Sequence, residues 1–140
     1  MSASFEGLSP EEAKRFAERW LPAWSGNDPE RLASFYDDDC FYSDPVVPDG
    51  IEGKEALLDY FRTLLARFPD WEWSQLDAIP LEGGFLNLWR AKIPIAGRTV
   101  VECEGVCTVQ LRGELIARNS VYFDRSELLM AIAEVEVGAE

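Results

Sequence analysis

Between Trp71 and Phe123 the chain alternates with period two through four consecutive runs, and this alternation limits the possible folds more than any other feature. The runs cover residues 71–79, 85–93, 98–111 and 115–123, broken by Glu82-Gly83-Gly84, Ala96-Gly97 and Arg112-Gly113-Glu114. Short glycine-bearing breaks between alternating runs read as hairpin turns, so the segment predicts four antiparallel strands. Residues i and i+2 share a face of a strand. Phe85, Asn87, Trp89, Ala91 and Ile93 therefore lie on one side, with Arg90 and Lys92 on the other. Val101, Cys103, Gly105, Cys107 and Val109 likewise share a side, while Glu102 and Glu104 point away. In matched register the two basic residues would face the two glutamates across the outer face. Along the last run Leu115, Ala117, Asn119, Val121 and Phe123 line up, and Asn119 is the lone polar member.

The first half of the chain carries helical signals instead. Ser9-Pro10-Glu11-Glu12 supplies an N-cap, a proline for the first turn and acid at the positive end of the helix dipole. Phe16, Trp20 and Trp24 recur at helical spacing, Pro22 kinks or ends the helix late, and Gly26-Asn27 stops it. Asp28-Pro29-Glu30 opens a short second helix through Leu32, Phe35 and Tyr36. Asp37-Asp38-Asp39 then reads as a solvated acidic turn, and residues 40–43 as a short strand ending at Asp44-Pro45. The loop VVPDGIEG leads into a third helix from Gly53-Lys54-Glu55, with Leu57, Tyr60, Phe61, Leu64, Leu65 and Phe68 as its apolar stripe. A last amphipathic helix is expected over residues 126–133. Helices first and a sheet later make an α+β fold. A length of 140 residues fits one domain, residues 1–140, with an ordered core of about 9–133.

Composition removes whole classes of chemistry. The chain has no histidine, which rules out Ser-His-Asp and Cys-His catalysis and the commonest zinc ligand. Thirteen Lys and Arg against 26 Asp and Glu leave a net charge of −13, which repels phosphate backbones and anionic lipid heads. Nucleic acid and membrane are accordingly not expected as partners. Cys40, Cys103 and Cys107 are an odd set with no disulfide pattern, read as core thiols of a cytoplasmic protein. No metal or organic cofactor is expected: Asp-x-Asp-x-Asp-Gly is absent, and Gly83-Gly84 precedes no helix that could cradle a phosphate. Five tryptophans suggest a lined pocket or a buried interface.

The order of these segments carries a family likeness. The first helix, then SGNDPERLASFYDDDCFYSDP, then GKEALLDYF, four strands and a closing VYFDRSELL resemble the NTF2-like superfamily, nearest its SnoaL-like and ketosteroid-isomerase-like branch. The likeness runs from about Glu11 to Ile132. It implies a cone in which a strongly bent mixed or antiparallel sheet wraps three N-terminal helices around an apolar pocket, and a homodimer formed through the sheet. The isomerases' general-base aspartate lies in a D-P-V sequence, which here is Asp44-Pro45-Val46. Their oxyanion tyrosine falls on Trp20, which can donate through its indole N–H. Their protonated aspartic acid falls on Gly105, which has no side chain. Polyketide cyclases of the SnoaL type use an Asp/His pair that a chain without histidine cannot supply.

Two functional readings follow. In the first, the protein is a cofactor-independent isomerase-like or polyketide-cyclase-like enzyme moving a proton next to a carbonyl of a hydrophobic small molecule. Asp44 would then be the base, with Trp20, Tyr60, Trp89, Asn119 and Phe85 contacting the substrate. A carboxylate at the rim of an apolar pocket loses hydration, which favours proton shuttling. In the second, the cavity persists without catalysis, as a ligand-binding or structural homodimeric module. An adaptor using the sheet face, with Val100 and Val106 exposed, is a further option. Asp-Pro also starts turns, so Asp44 has a structural role open to it as well.

Overall fold

Ser9 starts the first helix with a reciprocal cap: its side chain accepts from the Glu12 amide, and the Glu12 carboxylate accepts from the Ser9 amide. The computed structural model describes residues 8–95 and 99–138. Helix α1 (Pro10–Trp20) buries Ala13, Phe16, Ala17 and Trp20 along one stripe. A single 3-10 turn, Leu21–Trp24, takes over where Pro22 ends the α-helical bonding. Gly26 and Asn27 then turn the chain with φ of 83° and 52°, a region open to glycine and tolerated by asparagine. Helix α2 (Pro29–Ala33) is capped by Asp28 and ends earlier than the helical spacing predicts. Phe35 and Tyr36 lie beyond it.

Six strands follow: β1 (Tyr36–Ser43), β2 (Ile51–Glu52), β3 (Glu72–Leu81), β4 (Gly84–Ile95), β5 (Thr99–Arg112) and β6 (Leu115–Tyr122). Helix α3 (Lys54–Arg67) separates β2 from β3, and α4 (Ser126–Gly138) closes the chain, running past the expected end at residue 133. They form one curved, unclosed sheet in the order β2-β1-β6-β5-β4-β3. Every pairing is antiparallel except β1 with β6, so the sheet is mixed. Arg90 pairs with Glu104 and Lys92 with Glu102, as the alternation required, and Arg90 donates two hydrogen bonds to the Glu104 carboxylate at 3.1 and 2.6 Å. This pair is exposed, so water screens most of its attraction. The expected Ala96-Gly97 turn lies outside the described residues.

Two expectations need correction. Asp37-Asp38-Asp39 is no turn but the irregular first half of β1, between Tyr36 opposite Ile116 and Phe41 opposite Arg118. An ion pair from Arg112 to Asp37 and complete burial of Tyr36 hold this acidic segment extended. In β6, the shift between Gln110 and Leu111 leaves Ala117 as an extra residue. Ile116 is therefore the buried residue and Leu115 is exposed, reversing the face predicted for the strand's start. From Asn119 onward the predicted face holds, with Asn119 and Val121 buried.

Bulges of this kind bend strands and raise twist. Another occurs between Gln75 and Asp77 in β3. The concave face of the bent sheet carries Tyr36, Tyr42, Phe85, Trp89, Ile93, Val109 and Ile116, all at most 2% exposed. Against them pack Phe16 and Trp20 of α1, Trp24 of the 3-10 turn, and Leu57, Phe61 and Leu65 of α3. Each large side chain buried this way contributes about 1.5–3 kcal/mol relative to exposure. No helix among the described residues is long and apolar enough to cross a membrane.

Candidate functional site

The chain leaves β1 at Ser43, and the next residue sets up a tight turn. Asp44 stands at its first position and Pro45 at its second, the placements a type I turn favours. The Val47 amide reaches back to the Asp44 carbonyl at 3.1 Å. Oδ1 of Asp44 accepts from the amides of Val46 and Val47 at 2.8 and 3.1 Å, which completes an Asx turn. Oδ2 accepts from the hydroxyls of Tyr42 and Tyr60, each at 2.7 Å. Asp44 is thus 8% exposed with four donors on its two oxygens. Four is about the full acceptor capacity of a carboxylate. One oxygen serves the turn, and the other ties β1 to α3.

Both tyrosines are held protonated. Burial pushes the Tyr42 hydroxyl well above its ordinary range, and the adjacent Asp44 charge pushes the same way. Tyr60, half-buried, is raised chiefly by burial and then by its bond to Asp44, with Arg125 opposing. They remain donors to the carboxylate across the physiological range.

Asp44 lines a cavity of about 220 Å³ between the sheet, the 3-10 turn, α3 and α4. It is the only carboxylate among the lining residues, and all five tryptophans of the chain contribute to the wall. Their rings pack on one another: Trp24 stands against Trp73 at 5.7 Å between centroids, and Trp73 against Trp89 at 4.4 Å. Trp71 stacks on Phe68 at 5.0 Å and donates its indole N–H to the Trp24 carbonyl. The indole N–H groups of Trp20 and Trp73 are buried without a partner among the described residues. Thr63, Arg67 and Arg125 also line the cavity; Arg67 and Thr63 are exposed, and Arg67 lies over the Phe68 ring. Among the described residues no group of three or more cysteine, aspartate or glutamate side chains gathers as a metal site would.

Of the residues the sequence singles out, Asp44, Trp20, Tyr60 and Trp89 line this cavity, whereas Asn119 and Phe85 do not. Asn119 is fully buried and donates to the Tyr36 hydroxyl at 2.9 Å, leaving its own carbonyl oxygen without a partner. Phe85 is also fully buried, with its ring 5.8 Å from that of Phe16. Sharing a sheet face places a residue on the concave side without saying how far along the strand the cavity reaches. Trp24, Trp71 and Trp73 line it too, beyond the Trp20 and Trp89 that the sequence favours for the pocket. Cys107 lines the cavity as well, and burial pushes its thiol up to about 12, which makes it inert at neutral pH. All three cysteines are free.

Gly105 explains part of the aromatic wall. It lies directly opposite Trp89 in the β4–β5 ladder. A Cβ there would sit 2.5 Å from Trp89 Cζ2, 2.6 Å from the Tyr122 carbonyl oxygen and 2.7 Å from Phe123 Cβ. The position that would carry an acid in the isomerases is here given over to the Trp89 ring.

Comparison with known proteins agrees with this architecture. A hypothetical protein with a ketosteroid-isomerase-like fold from Catenulispora acidiphila, crystallised with trimethylamine, superposes with a TM-score of 0.74 at 20% identity, over 82% of this chain and 89% of that one. A putative SnoaL-like polyketide cyclase from Shewanella putrefaciens gives 0.74 at 14% identity, over 95% and 93%. AclR, a putative hydroxylase from Streptomyces galilaeus, gives 0.73 at 13%, over 90% and 98%. At such identities the likeness is one of fold. Among curated proteins none matches the sequence significantly. Residues 17–119 match the SnoaL-like domain, most of the chain, and the protein belongs to the SnoaL-like family of the NTF2-like fold.

Proposed function

We propose that the protein binds a small hydrophobic molecule in the aromatic cavity, with Asp44 as the one charged group that meets it. The observation that carries this reading is a single carboxylate in the wall of an otherwise largely apolar cavity. Few convergent polar groups in an apolar concavity are the usual mark of a ligand site. At about 220 Å³ the cavity falls below the roughly 300–1,000 Å³ of drug-sized sites, so it suits a small ligand or one end of a larger one.

Proton transfer next to a carbonyl, with Asp44 as base, is the second reading. The D-P-V placement of Asp44 and the partnerless Trp20 indole N–H favour it. It demands more of the site, because all four donors already occupy the carboxylate and one must leave before a substrate proton can be taken. Tyr60 is the donor able to yield, being half-buried while Tyr42 is enclosed. Loss of one oxyanion donor typically costs about 10²–10³ in rate, and the Gly105 position supplies none.

The same proposal includes a homodimer through the outer sheet face, where Ile79, Val100 and Tyr122 are exposed at 46%, 56% and 57%. It also includes a cytoplasmic location, consistent with three free cysteines.

Titrating aromatic, steroid and polyketide-like ligands against wild type and Asp44→Asn, read by tryptophan fluorescence, tests both readings. The binding reading expects saturable quenching in wild type and no turnover by either protein. Turnover in wild type that Asp44→Asn loses while still binding would favour the base. Failure of every ligand to perturb the fluorescence of either protein would contradict the pocket itself.

A further inference from the structure

The cavity combines three properties that together choose a ligand charge. Its wall holds all five indoles with Tyr42, Tyr60 and Phe68. Its only carboxylate, Asp44, is 8% exposed and has no cationic side chain within ion-pairing distance among the described residues. That carboxylate has no acceptor capacity left for a ligand N–H or O–H. Resting on the ligand-binding reading above, we infer that the site takes a methylated ammonium cation.

Hydrogen bonds spread the Asp44 charge without cancelling it, and a buried charge is screened far less than an exposed one. A neutral apolar ligand would fill the cavity but leave that charge uncompensated. An anion would be repelled by it. A primary ammonium would bring several N–H donors up to a carboxylate whose acceptor sites are already taken, and burying donors unpaired is costly. A quaternary ammonium has no N–H to satisfy. It presents a shell of polarised methyl groups, which aromatic faces attract, and its charge compensates the carboxylate through space. Trp is the strongest partner of this type, followed by Tyr. Arg67 and Arg125 are the opposing charges at the cavity. Arg67 is exposed and lies over the Phe68 ring with its guanidinium 5.4 Å from the centroid, and Arg125 is only half-buried, so water weakens both relative to Asp44.

Three congeners of one shape and different charge test the inference: choline, 3,3-dimethylbutan-1-ol and 3,3-dimethylbutanoate, titrated calorimetrically into the intact protein. Choline should bind at least about tenfold tighter than the alcohol, and the acid weakest of the three. Asp44→Asn, which removes the charge and keeps the side-chain shape, should erase the preference for choline over the alcohol. Equal affinity for choline and the alcohol, or tightest binding of the acid, overturns the inference and leaves the pocket reading intact. Silence from all three also overturns it, and the aromatic ligands of the fluorescence titration then decide whether the pocket reading stands.

Discussion

Gly105→Asp, the change that would restore an acid at the isomerase position, is expected to cost about 3 kcal/mol or more of stability and to bring no isomerase activity. Its Cβ would enter at 2.5 Å from Trp89 and 2.6 Å from the Tyr122 carbonyl oxygen. The ring could swing aside only by leaving the wall it shares with Trp73, at 4.4 Å between centroids. The carbonyl belongs to the end of β6 paired with β5 and cannot move without disturbing that ladder. Overpacking of this kind costs about 1–3 kcal/mol, and pressing a carboxylate onto an indole adds desolvation. Gly105→Ala should show the steric part alone. Urea unfolding of the three proteins measures both. Wild-type stability in Gly105→Asp would mean that Trp89 is free to move and does not define the cavity.

The second large effect is on the alkaline side. Burial holds the Cys107 thiol protonated up to about 12, against 9.0 for a free thiol. Burial likewise raises Tyr36 and Tyr42 well above 10.0, and Tyr60 upward with the help of Asp44. In each case the folded state keeps a proton that the unfolded chain releases, so stability is complete below the unfolded pKa and falls as pH rises beyond it. The loss begins near pH 9 with Cys107 and steepens near pH 10 as the phenols join. By pH 11 Cys107 alone costs about 3 kcal/mol, and the buried phenols add to that loss. A domain has about 5–15 kcal/mol in total, so the loss is a large share of it. Urea unfolding between pH 7 and 11 should show the midpoint dropping over that window, with Cys107→Ser or Cys107→Ala delaying its onset. A midpoint that holds steady to pH 11 would contradict the burial of these groups.

How much of this was legible in the sequence differs by element. The runs that became β4 and β5 were readable because alternation there is regular, down to the pairing of Arg90 with Glu104 and Lys92 with Glu102. The start of β1 was not, because three consecutive aspartates favour a turn locally. Tertiary contacts override that preference, through Arg112 on Asp37 and through burial of Tyr36. Strand β2 is two residues long, too short for any periodicity to register. The face error at Leu115 and Ile116 comes from a bulge, which one sequence does not announce.

The site divides in the same way. Asp44 was readable from its D-P-V setting and as a turn starter; Oδ1 makes that turn, while Oδ2 bonds Tyr42 and Tyr60. Tyr42 appears only in three dimensions as a donor to Asp44. Phe85 and Asn119 share the concave face with Trp89 and Val121, yet the cavity ends before it reaches them. Trp24 reaches the wall through the 3-10 turn Leu21–Trp24, and Trp71 and Trp73 reach it from the start of β3 and the residue before it, so the wall is assembled between elements rather than along one of them.

The most direct check uses the five indole N–H signals of ¹⁵N-labelled protein, titrated with toluene, a neutral probe small enough for a cavity of about 220 Å³. If the five tryptophans wall a single ligand site, their resonances move together and fit one dissociation constant. Signals that stay still, or that move with unrelated affinities, would mean the rings form a filled core with no place for a ligand beside Asp44.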